Sequence, residues 1–160
     1  MRLRLLAFAA LALVMGMASL AFAADEVTRE SYKAEVEPIC QKNTEANEKI
    51  LKGVRQEVKQ GKLALAGKQF GKAADALEKA YKQIKAIPQP TADTAKLTKW
   101  LSYVKQEIGL FDSGAKALKA NNKTKAQTIV VKLTHTANLA NSQVLSFGFR
   151  YCKLNPSKFT

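Results

Sequence analysis

The chain has 160 residues, 47% of them hydrophobic, and its 26 Lys and Arg against 13 Asp and Glu give a net charge of +13. This length suits a single domain, and the apolar content is sufficient for its core. With only 8 Gly, 4 Pro and 2 Cys, the composition excludes a collagen, a low-complexity disordered chain and a small disulfide-dense protein.

The N-terminus has the three parts of a secretory signal peptide. Two arginines among the first four residues are followed by an apolar run from Leu5 to Leu20 and by the small-residue pattern Ala21-Phe22-Ala23. We therefore predict that residues 1–23 are a cleaved signal peptide and that 24–160 form one helical domain. An uncleaved membrane anchor is the alternative, but the apolar run is shorter than the ~20 residues that a spanning helix needs. The expected location is the periplasm, the cell envelope or the extracellular space.

Beyond residue 23, apolar residues recur at intervals of three and four, which predicts helix nearly throughout. The predicted helical segments are about 28–66, 69–87, 94 to the Asn121-Asn122 break, and 123–152. Pro38 either kinks or begins the first segment, and Gly61 and Gly67 are both candidate ends for it. Because short connections make successive helices antiparallel, the predicted fold is all-α, an up-down-up-down four-helix bundle.

The two cysteines, Cys40 and Cys152, lie near opposite ends of the predicted domain. Export would place them in an oxidising compartment, so we predict that they form a disulfide. In the predicted bundle the first and fourth helices are adjacent and antiparallel, which would bring the two cysteines face to face. A redox-active pair would need the C-x-x-C spacing, which the sequence lacks.

The residue inventory argues against most chemistry. All three Met lie in the predicted signal peptide, the remaining chain has one histidine, His135, and no C-x-x-C-H motif occurs, so haem would have at most a single ligand. No E-x-x-H occurs and residues 113–160 contain no acid, which excludes a di-iron carboxylate bundle. His135 lies too far along the helix from Cys152 to share a zinc ion with it. We expect no metal, no cofactor and no enzymatic activity.

Four asparagines lie at helical spacing on the first and fourth predicted helices. Asn43 and Asn47 continue the stripe of Cys40, while Asn138 and Asn141 precede Cys152. Pairing of these helices would bring Asn47 close to Asn141. Two interpretations stay open, a structural polar layer that fixes helix register and a small polar pocket that holds a ligand.

Charge is distributed unevenly along the predicted domain. Residues 24–57 hold 8 acids and 6 bases, whereas residues 58–160 hold 18 bases and 5 acids. Such a surface favours an anionic partner, either an envelope polymer or a lipid surface. Nucleic acid is not expected, because the chain has an export signal and few arginines for bidentate base contacts. We predict a non-enzymatic binding or structural module with a Lys-rich surface; the alternative is a small-ligand or haem carrier that uses the bundle interior.

Several short motifs resemble those of small exported helical proteins of bacteria. They are Glu37-Pro38-Ile39-Cys40, a Gly-Lys turn, an Ile-Pro connection and Gly148-Phe149-Arg150-Tyr151-Cys152. From the Pro88 connection onward the chain is also similar in outline to cytochrome b562-type bundles, but it lacks their methionine ligand and His135 lies well before the end of the last helix. The resemblance implies a four-helix bundle and supplies no activity.

Overall fold

The computed structural model describes residues 26–156, so the predicted signal peptide lies outside the described residues. The helices are α1 (Arg29–Ile50), α2 (Val54–Lys59), α3 (Leu63–Lys85), α4 (Thr94–Lys119) and α5 (Lys123–Gln143), with short 3₁₀ turns at Thr91–Asp93 and Leu145–Phe147. No strand occurs in this part of the chain, which confirms the all-α prediction.

Four long helices pack around one apolar core. α4 contacts both α3 and α5 extensively, and α1 packs against α3. The largest fully buried side chains are Trp100, Tyr32, Phe111, Phe149, Leu97 and Leu133. They come from α1, α4, α5 and the chain beyond α5, so the core depends on both ends of the described chain.

The prediction of one helix over 28–66 is wrong, because the chain turns twice within it. α1 continues through Pro38 but ends at Ile50, and Gly53 then adopts a φ of +85°. This left-handed conformation, which glycine adopts without strain, lets both Leu51 and Val54 reach the core.

The second turn follows α2 and contains Gly61. Of the two predicted candidates, Gly61 and not Gly67 therefore lies at a helix end. Gly61 has a φ of +75°, and the Lys62 N–H donates to the Glu57 carbonyl at 2.8 Å, as in a Schellman motif. Gly67 lies inside α3, where an added Cβ would lie 2.9 Å from Cγ of Lys119 and 3.0 Å from the Ala115 carbonyl oxygen. The absence of a side chain at Gly67 therefore allows α3 and α4 to approach closely.

The end of α4 agrees with the sequence prediction. Asn121 has a φ of +57°, and the Asn122 N–H donates to the Ala117 carbonyl at 2.9 Å. The Asn122 side chain then accepts from the Lys125 N–H and caps α5. The two asparagines thus end one helix and begin the next.

The prediction that the last helix extends to Cys152 is also wrong, since α5 ends at Gln143. Residues 144–156, which we name the C-terminal segment, fold back over the core around Gly148, whose φ is +60°. Phe147 and Phe149 stack at 5.3 Å between ring centroids, and both are buried. Leu145, an apolar residue within the predicted last helix, is 68% exposed because the backbone has left the helix before it.

The start of α1 is fixed by a cap and an ion pair. Thr28 and Ser31 form a reciprocal capping box. Arg29 donates two hydrogen bonds to the carboxylate of Asp93, at 2.7 and 2.9 Å, and also lies over the Phe147 ring. The hydrogen bonds from Arg29 lower the pKa of the buried Asp93 carboxyl. The beginning of α1 is thereby joined to the turn before α4 and to the C-terminal segment.

Candidate functional site

A partly enclosed cavity lies where α1, α3, α4, α5 and the C-terminal segment meet; we name it the polar cavity. Its volume is about 70 Å³, which is enough for several water molecules or a very small ligand. α3 supplies an apolar wall through Leu77, Ala80 and Ile84. The polar side chains discussed below come from α1, α4 and α5, whereas Glu48, Lys153 and Asn155 line the exposed side of the cavity.

The disulfide forms one side of the polar cavity. Cys40 of α1 is bonded to Cys152, as predicted, with 4.9 Å between their Cα atoms. Hydrogen bonds also join α1 to the C-terminal segment. Thr44 Oγ1 donates to the Tyr151 carbonyl at 3.1 Å, and the Glu37 carboxylate accepts from the Tyr151 N–H. The C-terminal segment is therefore held on α1 by one covalent bond and several hydrogen bonds.

The structure brings three of the four predicted asparagines to the polar cavity. Asn47 is 2% exposed and donates to Asn43 Oδ1 at 3.2 Å, and Asn141 donates to the Leu154 carbonyl at 2.9 Å. The Oδ1 atoms of Asn47 and Asn141 are buried and have no hydrogen-bond partner within residues 26–156. Asn138 is exposed and is not part of the wall.

The most unusual side chain in the polar cavity is Glu107 of α4. It is 2% exposed, and its Oε1 atom has no hydrogen-bond partner in the described part of the chain. Burial raises the pKa of this carboxyl to about 8, so the neutral acid predominates at pH 7. Glu107 can therefore donate a hydrogen bond as well as accept one.

Trp100 adds a donor to the same wall. It lies seven residues before Glu107, which places both on one face of α4 together with Val104. Trp100 is 2% exposed, and its indole N–H has no acceptor among the described residues. The polar cavity thus contains two amide acceptors, one indole donor and one neutral carboxyl.

Sequence reasoning missed Glu107, although the sequence contains a signal for it. Val104, Glu107, Ile108 and Phe111 follow a helical apolar stripe, so Glu107 is an acid at a core position. An acid at such a position is buried unless the helix rotates, and buried acids are uncommon without a partner. The stripe was therefore a sufficient reason to single out Glu107.

The described residues offer little for metal binding. No group of three His, Cys, Asp or Glu that could hold a metal ion occurs within 26–156. His135 is exposed on α5 and does not line the polar cavity. The arrangement in the polar cavity is suited to hydrogen bonding of a small molecule.

Comparison with protein-family models, with curated proteins and with solved structures gives no match. Within residues 26–156, no helix is long and apolar enough to cross a membrane.

Proposed function

We propose that this protein is a non-enzymatic helical bundle that binds a small molecule in the polar cavity. The observation that supports this proposal is the set of unpartnered atoms of residues that line this one cavity: Oε1 of Glu107, Nε1 of Trp100 and Oδ1 of both Asn47 and Asn141. A buried polar atom without a partner costs about 1–3 kcal/mol. Four such atoms around one small cavity favour an occupant that hydrogen-bonds to all of them.

The donors and acceptors define the chemical class of that occupant. The Oδ1 atoms of Asn47 and Asn141 require hydrogen-bond donors on the ligand, and the Trp100 N–H requires an acceptor. Neutral Glu107 can pair with a donor or with an acceptor. The expected ligand is a small uncharged molecule with both donors and acceptors, such as a simple amide, a urea or a short polyol. Haem, the other ligand expected for a carrier that uses the bundle interior, is far larger than a cavity of about 70 Å³.

Native mass spectrometry of the exported, oxidised chain tests the proposal. We expect a small added mass, of a size that fits a cavity of about 70 Å³, that is lost on denaturation in the wild type and in Asn138→Leu and that is absent from Asn47→Leu. The two substitutions are chemically identical, but Asn138 is exposed outside the polar cavity, whereas Asn47 lies in its wall. Acetamide, urea and glycerol then serve as probes, and we expect at least one to raise the melting temperature of the wild type but not of Asn47→Leu.

Two results would contradict small-molecule binding. One is a bare wild-type mass together with no response to any of the three probes. The other is that the same small added mass persists in both Asn47→Leu and Glu107→Leu, because that ligand would then lie outside the polar cavity. Circular dichroism of each variant shows whether the bundle is intact.

A second proposal is that the Lys-rich surface binds an anionic envelope polymer or lipid surface. Of the five acids in residues 58–160, Asp93 and Glu107 are buried and do not contribute a negative charge to the surface. The surface formed by this part of the chain is therefore more cationic than its composition indicates. Such a surface attracts anions, and added salt screens this electrostatic attraction.

Vesicle binding at several salt concentrations tests the second proposal. We expect retention on anionic vesicles, little retention on neutral ones, and loss of binding as salt is raised. An unrelated protein of similar size and charge is the control, and equal retention of the two proteins would contradict a specific surface.

We also propose that the bundle is antiparallel, up-down-up-down, and that the chain is exported after cleavage at residue 23. The connection between α4 and α5 is only three residues long, which favours antiparallel neighbours. The disulfide supports an oxidising compartment. N-terminal sequencing of the exported protein tests the cleavage site.

A further inference from the structure

A second cavity, which we name the apolar groove, lies at the surface between α2, α4 and α5. Its volume is about 550 Å³, within the ~300–1,000 Å³ that is typical of small-molecule sites. The apolar wall is formed by Val54, Val58, Phe70, Leu118, Ala126 and Val130. The apolar groove shares no residue with the polar cavity, so a ligand bound there is independent of the function proposed above.

The short helix α2 creates one side of the apolar groove. Val54 and Val58 are four residues apart and therefore lie on the same face of α2. Opposite them, the lack of a side chain at Gly114 makes room for Phe70, because an added Cβ would lie 3.0 Å from Phe70 Cδ1. At the edge, Val131 is 68% exposed, which leaves an apolar side chain in water.

The rim of the apolar groove is cationic. Arg55, Lys59 and Lys123 all line it and are exposed, and no Asp or Glu is present among its described lining residues. An apolar wall with three cations at its rim matches an amphiphile with an anionic head. Arginine and lysine both pair with carboxylates, and arginine can do so through two parallel hydrogen bonds.

We propose that the apolar groove binds a long-chain fatty acid, with the alkyl chain on the apolar wall and the carboxylate among Arg55, Lys59 and Lys123. The charge of the rim distinguishes this occupant from two others. The apolar run from Leu5 to Leu20 is preceded by arginines, which the rim would repel, and a second copy of this basic chain meets the same repulsion.

Calorimetric titration of the oxidised, delipidated chain with single-chain amphiphiles below their micelle concentrations tests the proposal. We expect dodecanoate to bind with 1:1 stoichiometry. Octanoate should bind more weakly, because each buried methylene strengthens binding by about fourfold. Dodecyltrimethylammonium, which has the same chain and a cationic head, should bind at least ~10-fold more weakly than dodecanoate, since the rim repels it.

Matched charge variants locate the head group. The triple variant Arg55→Gln, Lys59→Gln, Lys123→Gln should weaken dodecanoate binding by ~10-fold or more. The control removes three charges elsewhere, by Lys79→Gln, Lys85→Gln and Lys99→Gln, and should bind as the wild type does. All six positions are exposed, so both variants are expected to fold.

A third variant tests the position of the alkyl chain. Val131→Gln changes an exposed side chain at the groove edge and should reduce the gain in affinity from octanoate to dodecanoate. Equal affinity for the anionic and cationic amphiphiles, or an equal loss in the two triple variants, would overturn the proposal. So would self-association of the chain through this face that dodecanoate does not displace.

Discussion

The α3–α5 unit, residues 63–143, and α1 are held in the molecule by different kinds of contact. Within the α3–α5 unit, helices that follow one another along the chain pack directly, and Gly67 allows a close approach of α3 to α4. α1 also packs on α3, but it is attached to the C-terminal segment by the disulfide, by Glu37 and by Thr44. The polar cavity lies at the boundary between these two parts, so its geometry depends on how firmly α1 is attached.

Removal of the disulfide is expected to have the largest effect on stability and to weaken α1 more than the α3–α5 unit. The bond joins residues 112 positions apart, and on the chain-entropy model the closure of such a loop stabilises the fold by up to about 5 kcal/mol. In Cys40→Ser/Cys152→Ser we therefore expect a large loss of unfolding free energy in urea. Hydrogen exchange should show α1 losing protection before α4. Simultaneous loss of protection in both helices would mean that α1 and the α3–α5 unit unfold together and are not held by different contacts.

Glu107 is expected to make stability depend on pH. Its pKa is about 8 in the folded protein against 4.5 ordinarily, so folding favours the protonated form. The corresponding stability is complete below about pH 4.5 and is lost as the pH rises through 8, by about 1.4 kcal/mol per pH unit.

Glu107→Gln should remove this dependence and raise the unfolding free energy at pH 9 by a few kcal/mol, since one pKa unit corresponds to about 1.4 kcal/mol. Urea unfolding at pH 5, 7 and 9 measures the effect. Asp112→Asn, which changes an exposed acid on the same helix, is the control and should leave the pH profile as it is. If the pH profile of Glu107→Gln ran parallel to that of the wild type, Glu107 would not be the titrating group.

Two glycine substitutions test the packing within the α3–α5 unit. Gly67→Ala places a Cβ against Lys119 and the Ala115 carbonyl and should cost about 1–3 kcal/mol through overpacking. Gly109→Ala, within α4, meets no described atom within 4 Å and should stabilise the protein by about 0.5–1 kcal/mol through helix propensity. Thermal unfolding should shift in opposite directions, and a shift in the same direction would contradict the close approach of α3 and α4.

The smallest expected effect concerns the beginning of α1. Thr28→Ala removes the side-chain half of the capping box and should cost about 1 kcal/mol. Exchange should accelerate in the first turn of α1 and stay unchanged in the α3–α5 unit. Thr98→Ala, at an exposed position inside α4, serves as the control and should not lower stability. An equal loss in the two variants would argue against the cap.

The fold could be predicted from the sequence where the helical apolar pattern stops at residues that favour a helix end, as at Asn121-Asn122. It could not be predicted at Gly53, because Ile50, Val54 and Val58 keep a four-residue spacing across the turn. A periodic pattern alone does not reveal a backbone that leaves the helix and returns. The same limit applies beyond Gln143, where the apolar residues of the C-terminal segment look like a continued stripe.

The polar cavity was predictable in part. The spacing of Asn43 and Asn47 from Cys40 was enough to suggest that these two side chains lie near the disulfide. Asn141 also lies there, but not through the predicted spacing, because α5 ends at Gln143 and no helix joins Asn141 to Cys152. Whether Trp100 Nε1 or Glu107 Oε1 has a partner is decided by atoms from other helices. Such tertiary information is not contained in the pattern of any one helix.

The disulfide also closes most of the molecule into a covalent ring. Residues 40–152 include α2, α3, α4 and α5 entirely, together with the exposed turn around Pro88. A protease that cuts once within this ring opens it but releases no fragment, because the two pieces stay linked through sulfur. The oxidised protein can therefore be cut once at a surface turn and keep all of its helices in one molecule. Reduction of the disulfide would leave the two pieces without a covalent link.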